Sequence, residues 1–214
     1  MIEAHVVDAK NLHLYEPEFD QFLRLRHDYF VDRKGWRPPA PDGREWDQFD
    51  TAHATYLLGI EDGRVVTSCR MIPTNVPHLV SEVFPDMCEQ EGVPRRPDWA
   101  EWTRTFVVSE HQGLGRRGRL TQICCAVMEY AVEEGLRAVG GIQELYFLAQ
   151  HRMLRWKVRP LGLAREVNGE WCIVAFIEVS GEALASARRV LGISHSLLVR
   201  RGEPAPFLRT ELRA

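Results

Sequence analysis

The sequence predicts an α/β fold in which helices cover a mixed sheet. Two observations carry that expectation. Strand-like and helix-like periodicities are mixed along the chain, and the series opens with two strand-like runs joined by an Asp-Gly turn, the signature of an antiparallel hairpin. No internal repeat, low-complexity tract or long linker interrupts the 214 residues, and the Pro-rich stretches Arg37 to Pro41 and Val93 to Pro97 are too short to separate domains. We therefore expect residues 1–214 to form one domain.

The elements follow in order. Phe19, Phe22, Leu23, Arg26 and Phe30 recur at the three-and-four spacing of one helical face, which predicts a helix from about Glu16 to Asp32 ending near Gly35. Thr55–Ile60 and Arg64–Ile72 read as strands around the turn Glu61-Asp62-Gly63, and Trp99–Val108 reads as a third. After a Gly- and Arg-rich turn, His111 to Gly118, the stripe Leu120, Ile123, Cys124, Val127, Met128, Ala131 and Val132 predicts a helix over Arg119–Glu134, with Gly135 at its C-terminal cap. A strand at Val139–Leu148, a short helix at Gln150–Trp156, a strand at Glu170–Val179 and a last helix from Gly181 complete the series.

Composition narrows the function. With 45% hydrophobic residues the chain can bury a core, yet no window approaches the roughly 18 consecutive apolar residues of a membrane span. The start, MIEAHVVDAK, has no secretory pattern, so a cytoplasmic location is expected. A net charge of −3, from 27 Lys+Arg and 30 Asp+Glu, argues against a dedicated nucleic-acid binder. The five cysteines form no C-x-x-C pair and are expected to be buried thiols, and the eight histidines show no H-x-x-x-H spacing, so no metal is predicted.

Function is more legible where local rules are broken. Arg26 lies on the apolar stripe of the first helix, and Arg70 lies late in a strand of a covered sheet. Such charges are costly unless paired or turned to a polar cleft, or, for Arg26, unless the guanidinium snorkels out. Between them Glu45-Trp46-Asp47-Gln48-Phe49-Asp50 interleaves carboxylates with aromatic rings and offers partners to both. Glu101 and Arg104 stand three apart in a strand, so they converge on one site only through a bulge or splay, and otherwise act on two sides of the sheet. The turn Gln112 to Gly118, with Arg116, Arg117 and Arg119, offers backbone N–H groups and positive charge to a phosphate, although it lacks a nucleotide-binding signature.

Arg26-His-Asp-Tyr-Phe30, Gly35-Trp36, Glu45-x-Asp47-Gln-Phe-Asp50, Ser68-Cys-Arg70-Met-Ile-Pro-Thr74, Phe84-Pro85 and Glu101-x-x-Arg104 together resemble the acyl-homoserine lactone synthases, the autoinducer synthases of quorum sensing, over roughly residues 5 to 135. The resemblance implies a three-layer α/β/α sandwich like that of the N-acetyltransferases, with two splayed strands admitting a thioester. It implies two substrates and no cofactor: S-adenosyl-L-methionine, and an acyl group on coenzyme A or acyl-carrier protein. The amine is acylated and the carboxylate then displaces the sulfonium, releasing 5′-methylthioadenosine and the lactone. On this resemblance Glu101 is the candidate base, with Asp47 second, and Asp47 and Asp50 tie their loop to Arg70. Arg26, Phe30, Trp36, Asp50 and Arg104 are expected to bind S-adenosylmethionine. Trp102, Thr103, Phe106, Arg116, Tyr146 and Phe147 are expected around the acyl thioester.

The chain departs from the common family pattern at Trp102 and Thr103, where many members have an aliphatic residue and Ser, and in Gly140-Gly-Ile-Gln-Glu-Leu-Tyr-Phe-Leu148. These segments look like a smaller branch that takes branched or aryl acyl groups from coenzyme A, although the same aromatics would also serve as ordinary core. The rival readings are a general N-acyltransferase using another amine, and a non-catalytic ligand-binding domain on the same fold.

Overall fold

The computed structural model describes residues 1–108, 115–203 and 205–207, with backbone alone at 115–117. Its strands are β1 (Glu3–Val7), β2 (Thr55–Glu61), β3 (Arg64–Pro73), β4 (Trp99–Val107), β5 (Ala138–Glu144), β6 (Val158–Pro160), β7 (Arg165–Val167), β8 (Glu170–Glu178) and β9 (Leu198–Val199). They form one sheet in the order β6-β8-β5-β4-β3-β2-β1-β9, with β7 paired to β8. β4–β5 and β1–β9 run parallel and the other pairs antiparallel, so the sheet is mixed.

Alternation along each strand sends side chains to two covered faces. Tyr56, Leu58 and Ile72 join a core cluster with Phe19, Phe22 and Phe30, under α1 (Glu16–Arg26), while Val80 of α2 (Leu79–Glu82) packs with Cys172, Val174 and Phe176 on that same side. Leu57, Cys69, Met71 and Ala100 point the other way, into a cluster with α3 (Gly115–Glu133) and α5 (Gly181–Leu191). The result is the expected α/β/α sandwich. All five cysteines are free and buried, and burial pushes their thiols up, Cys88 to about 11 and Cys125 to about 12.

Several boundaries depart from the sequence reading. The first helix leaves α geometry at Arg26 and continues as a π-helical turn over His27–Arg33. α3 starts four residues early, at Gly115, because Gly-Arg-Arg-Gly hides a helix start. The strand expected over Val139–Leu148 ends at Glu144, and Tyr146 and Phe147 open helix α4 (Tyr146–Met153), which was expected to begin at Gln150. Their β-favouring rings misled the reading, and packing overrode propensity. The chain-terminal β1 and the two- or three-residue strands β6, β7 and β9 give too little periodicity to be found.

Two features open a passage through the sheet. β4 and β5 pair only from Trp99–Ala138 to Glu101–Gly140 and then diverge. Beyond that point β4 is bulged: Arg70 faces Thr103 but Ser68 faces Phe106, so β4 carries one extra residue, and Arg104 adopts φ 55°. Gly140 is required where the strands still pair, since a Cβ there would lie 2.2 Å from the Ala175 carbonyl oxygen.

Candidate active site

The bulge and the π turn aim three arginines at one loop. Arg26 ends α1, Arg70 lies on β3 and Arg104 at the bulge of β4, and Glu45, Asp47 and Asp50 meet them from the loop before β2. The six alternate in sign around a closed ring. Arg26 pairs with Glu45, and its Nη1 and Nη2 donate to the two oxygens of Asp50 at 2.8 and 2.9 Å. Arg70 Nη1 donates to Asp50 Oδ1 at 2.8 Å and to Asp47 Oδ1 at 2.6 Å. Arg104 Nη2 closes the ring on Asp47 Oδ2 at 2.5 Å and Glu45 Oε1 at 3.1 Å.

The ring is held from outside as well. Tyr56 donates its hydroxyl to Asp50 Oδ1 at 2.9 Å, the Asp47 amide to Asp50 Oδ2 at 2.8 Å, and the Phe49 amide to Asp47 Oδ1 at 2.9 Å. Arg26 and Arg70 are fully buried and the three carboxylates nearly so. Burial raises the Asp50 carboxyl, but Arg70 and Arg26 outweigh it and hold the group well below the ordinary carboxylate range. Burial lowers Arg104 despite its acidic partners, and its Nε is buried without a hydrogen-bond partner.

Against this ring lies a cavity of about 430 Å³. The π turn shapes one wall: Lys34 N–H donates to Tyr29 O, Gly35 takes φ 63°, and Trp36 N–H donates to Phe30 O at 2.9 Å. The Phe30 and Trp36 rings then lie 5.9 Å apart, with the Arg104 guanidinium 5.0 Å from the Phe30 centroid. Asp47, Thr103 and Arg104 line the charged end. Gly140 and Gly141 line the gap between β4 and β5, and Trp102, His151 and Ile177 line the side facing α3. Tyr146 and Phe147, stacked at 4.5 Å, line it from the first turn of α4.

Phe30, Trp36, Asp47, Trp102, Thr103, Arg104, Tyr146 and Phe147 are thus brought together on one cavity. Arg26, Arg70 and Asp50 stand behind its wall, where they fix Asp47 and Arg104 without lining the space. The snorkelling alternative for Arg26 does not hold, since none of its surface is exposed. Phe106 is a correction: past the bulge it turns into the core beneath α1, 6.4 Å from Phe22, and does not line this cavity. The side chain of Arg116 lies outside the described residues, as does most of the basic turn that contains it.

Glu101 is buried beside the gap. Its oxygens accept the Leu79 amide at 3.0 Å and the Val80 amide at 2.7 Å, and a Cβ on Gly141 would lie 3.3 Å from its Cγ. Burial raises its carboxyl despite His78, those amides and Arg70. Sequence reasoning counted Glu45 only as part of the acidic cluster and gave it no site role of its own. It also missed His151, a single histidine in an ordinary-looking helix. Among the described residues His27, Asp28 and Asp32 could meet at a cation, but both aspartates are exposed and His27 already pairs with Asp32 at 3.3 Å.

Residues 10–186 match the family model described as autoinducer synthase. The chain belongs to this family. It is 38% identical over 182 residues to the isovaleryl-homoserine lactone synthase of Bradyrhizobium diazoefficiens, covering 84% of this chain and 81% of that one. The structure of the CoA-dependent acyl-homoserine lactone synthase BjaI, solved with SAM and isopentyl-CoA, superposes with a TM-score of 0.90 at 33% identity over 97% of each chain. Escherichia coli ElaA, 16% identical, gives a TM-score of 0.58 over 82% of this chain and 99% of that one, a likeness of fold alone. The N-acetyltransferase-like sandwich is therefore the frame on which this autoinducer synthase builds its charged ring. Among the described residues no helix is long and apolar enough to cross a membrane.

Proposed function

We propose that this autoinducer synthase makes an N-acyl-L-homoserine lactone from S-adenosyl-L-methionine and an acyl-CoA, releasing 5′-methylthioadenosine, with a branched or aryl acyl group. The observation that carries the reading is the cavity itself. It joins a charged end of both signs to an aromatic passage between β4 and β5, which suits a zwitterionic substrate meeting a flat or branched acyl chain. The CoA donor is further supported by the likeness to the isovaleryl-homoserine lactone synthase and to BjaI. A plain N-acyltransferase of another amine has no use for the ring of three arginines and three carboxylates.

Arg104 would take the methionyl carboxylate. Its Nε is an unspent donor in the cavity wall, and a carboxylate there would recover the bond it lacks. Asp47 is held by two guanidinium groups and suits orientation of the substrate ammonium better than removal of its proton. Phe30 and Trp36 would face the adenosyl group and the sulfonium. Glu101 is the better base, because its carboxyl is raised and no arginine hydrogen-bonds to it. Amide groups past the bulge would stabilise the tetrahedral oxyanion. Trp102, Thr103, Tyr146 and Phe147 would border the acyl thioester.

Chromatography with mass detection tests this directly. With S-adenosylmethionine and isovaleryl-CoA the chain should release 5′-methylthioadenosine and the acyl lactone in equal amounts, and Glu101→Gln should lower kcat about 100-fold or more. Turnover with acyl-carrier-protein thioesters only would overturn the CoA donor, and full turnover by Glu101→Gln with an unchanged pH profile would overturn the base.

A further inference from the structure

His151 is the one cavity-lining histidine among the described residues. It lies on α4, across the sheet from the charged ring, with 1% of its surface exposed. Its ring packs between two indoles, 5.8 Å from Trp156 and 6.2 Å from Trp102. Both indoles have spent their N–H groups, Trp156 on the Ala183 carbonyl at 3.0 Å and Trp102 on Thr105 Oγ1 at 2.7 Å. His151 Nδ1, by contrast, is buried without any partner.

A buried polar atom left unpaired costs stability, so a phenylalanine would fill this stack better than a histidine does. Burial also pushes the imidazole down to about 4, which leaves it neutral near pH 7 with one donor and one acceptor nitrogen. A neutral ring brings no charge to hold an anion, so an uncharged donor or acceptor is the partner that suits it. A turn of the ring about its broad, roughly two-fold χ2 torsion would exchange Nδ1 with a carbon position and present a nitrogen to the cavity.

On the reading above, that the chain takes an acyl-CoA, we propose that His151 is a donor-recognition residue whose neutral imidazole hydrogen-bonds an uncharged amide or hydroxyl of the acyl-CoA in the half of the cavity beyond the sheet. Such a group is available from two parts of the donor, the amides of the CoA arm or an oxygen on the acyl chain. In either place it satisfies the nitrogen that the fold leaves unpaired.

His151→Phe keeps the aromatic stack and removes the nitrogens, while His151→Gln keeps a polar group. Both are compared with the parent on two aryl acyl-CoAs that differ by one hydroxyl, at saturating S-adenosylmethionine. The Phe variant should show an acyl-CoA KM about ten-fold higher, the size of one lost hydrogen bond, with the KM for S-adenosylmethionine moved less than about two-fold and Gln recovering part of the loss. A penalty on both donors places the partner in the CoA arm, and a penalty on the hydroxylated donor alone places it on the acyl group. Unchanged KM for both donors in a folded Phe variant overturns the proposal. If the parent releases no 5′-methylthioadenosine, the function fails separately, and calorimetry with the same acyl-CoAs then decides: weaker binding by the Phe variant supports the contact and equal binding overturns it. If the Phe variant does not fold, nitrogen-15 NMR of the parent decides: ring resonances of His151 that move on adding acyl-CoA support the contact, and fixed ones overturn it.

Discussion

The two sides of the sheet meet the same cavity with opposite chemistry. On the α1 side, six ionised groups close a ring in which each arginine lies between two acids. On the α3 side, Trp102, His151 and Trp156 stack with a single unsatisfied nitrogen among them. The first arrangement tolerates little change, because deleting one member strands two buried charges. The second is a packing solution that other apolar shapes of similar volume could also fill. The difference teaches where this enzyme is fixed and where it is free to vary: on the proposed function, the charged end would serve the constant substrate and the aromatic end would set the acyl group.

The sharpest break of that contrast is Asp50→Ala. It leaves Arg26 and Arg70 facing each other with half their partners, and should cost about 3–5 kcal/mol, lowering Tm by roughly 10 °C in thermal denaturation. Trp102→Phe, on the other face, strands no charge; it leaves a small void and Thr105 Oγ1 without its indole donor, and should cost about 1–2 kcal/mol. Equal losses would show that the ring is no more demanding than the stack.

Acid separates the two sides next. His151 has a folded pKa lowered from 6.5 to about 4, so the neutral ring contributes its full stability above pH 6.5 and loses it as pH falls toward 4, on the order of 2–3 kcal/mol by pH 4. Asp50, held below 3.8, keeps its contribution above that value and loses it only in stronger acid. Urea unfolding from pH 7 to 4 should therefore show a decline that His151→Phe flattens. A decline of the same slope in that variant would assign the acid sensitivity elsewhere, His5 being the other histidine that burial lowers.

Gly140→Ala probes the seam between the sides. Its Cβ would meet the Ala175 carbonyl, so β5 and β8 must part, at about 1–3 kcal/mol in thermal denaturation. The smallest effect is expected at Tyr146, whose ring is half exposed at the cavity mouth. Tyr146→Ala should raise the acyl-CoA KM a few-fold and leave Tm within about 1 °C, measured by steady-state kinetics and calorimetry.

The same asymmetry explains what could be read from the chain. Arg26 and Arg70 were visible because charges on apolar stripes violate a local rule, the cluster from Glu45 to Asp50 because it lay between them with carboxylates to offer, and the spacing of Glu101 and Arg104 posed the choice between a bulge and two sides of the sheet that β4 resolves as a bulge. The hairpin, β4 and α3 followed from periodicity. Phe106 was misplaced because a single extra residue in β4 reverses which way the later side chains point, and no residue type announces it. Tyr146 and Phe147 were expected at the acyl end but placed in a strand, because their rings favour one, and His151 was missed because a lone histidine in a helix looks alike whether it lines a cavity or fills a core. The π turn that sets Phe30 and Trp36 is likewise silent in the pattern of apolar positions.

The central claim, that the two substrates meet through the gap between β4 and β5, is tested most directly by a crystal structure with S-adenosylmethionine and an acyl-CoA bound together. The account predicts the methionyl carboxylate on Arg104, its amine near Asp47 and Glu101, and the acyl chain passing Gly140 and Gly141 to Trp102. Both ligands lying on one side of the sheet, with the gap between the strands empty, would contradict it.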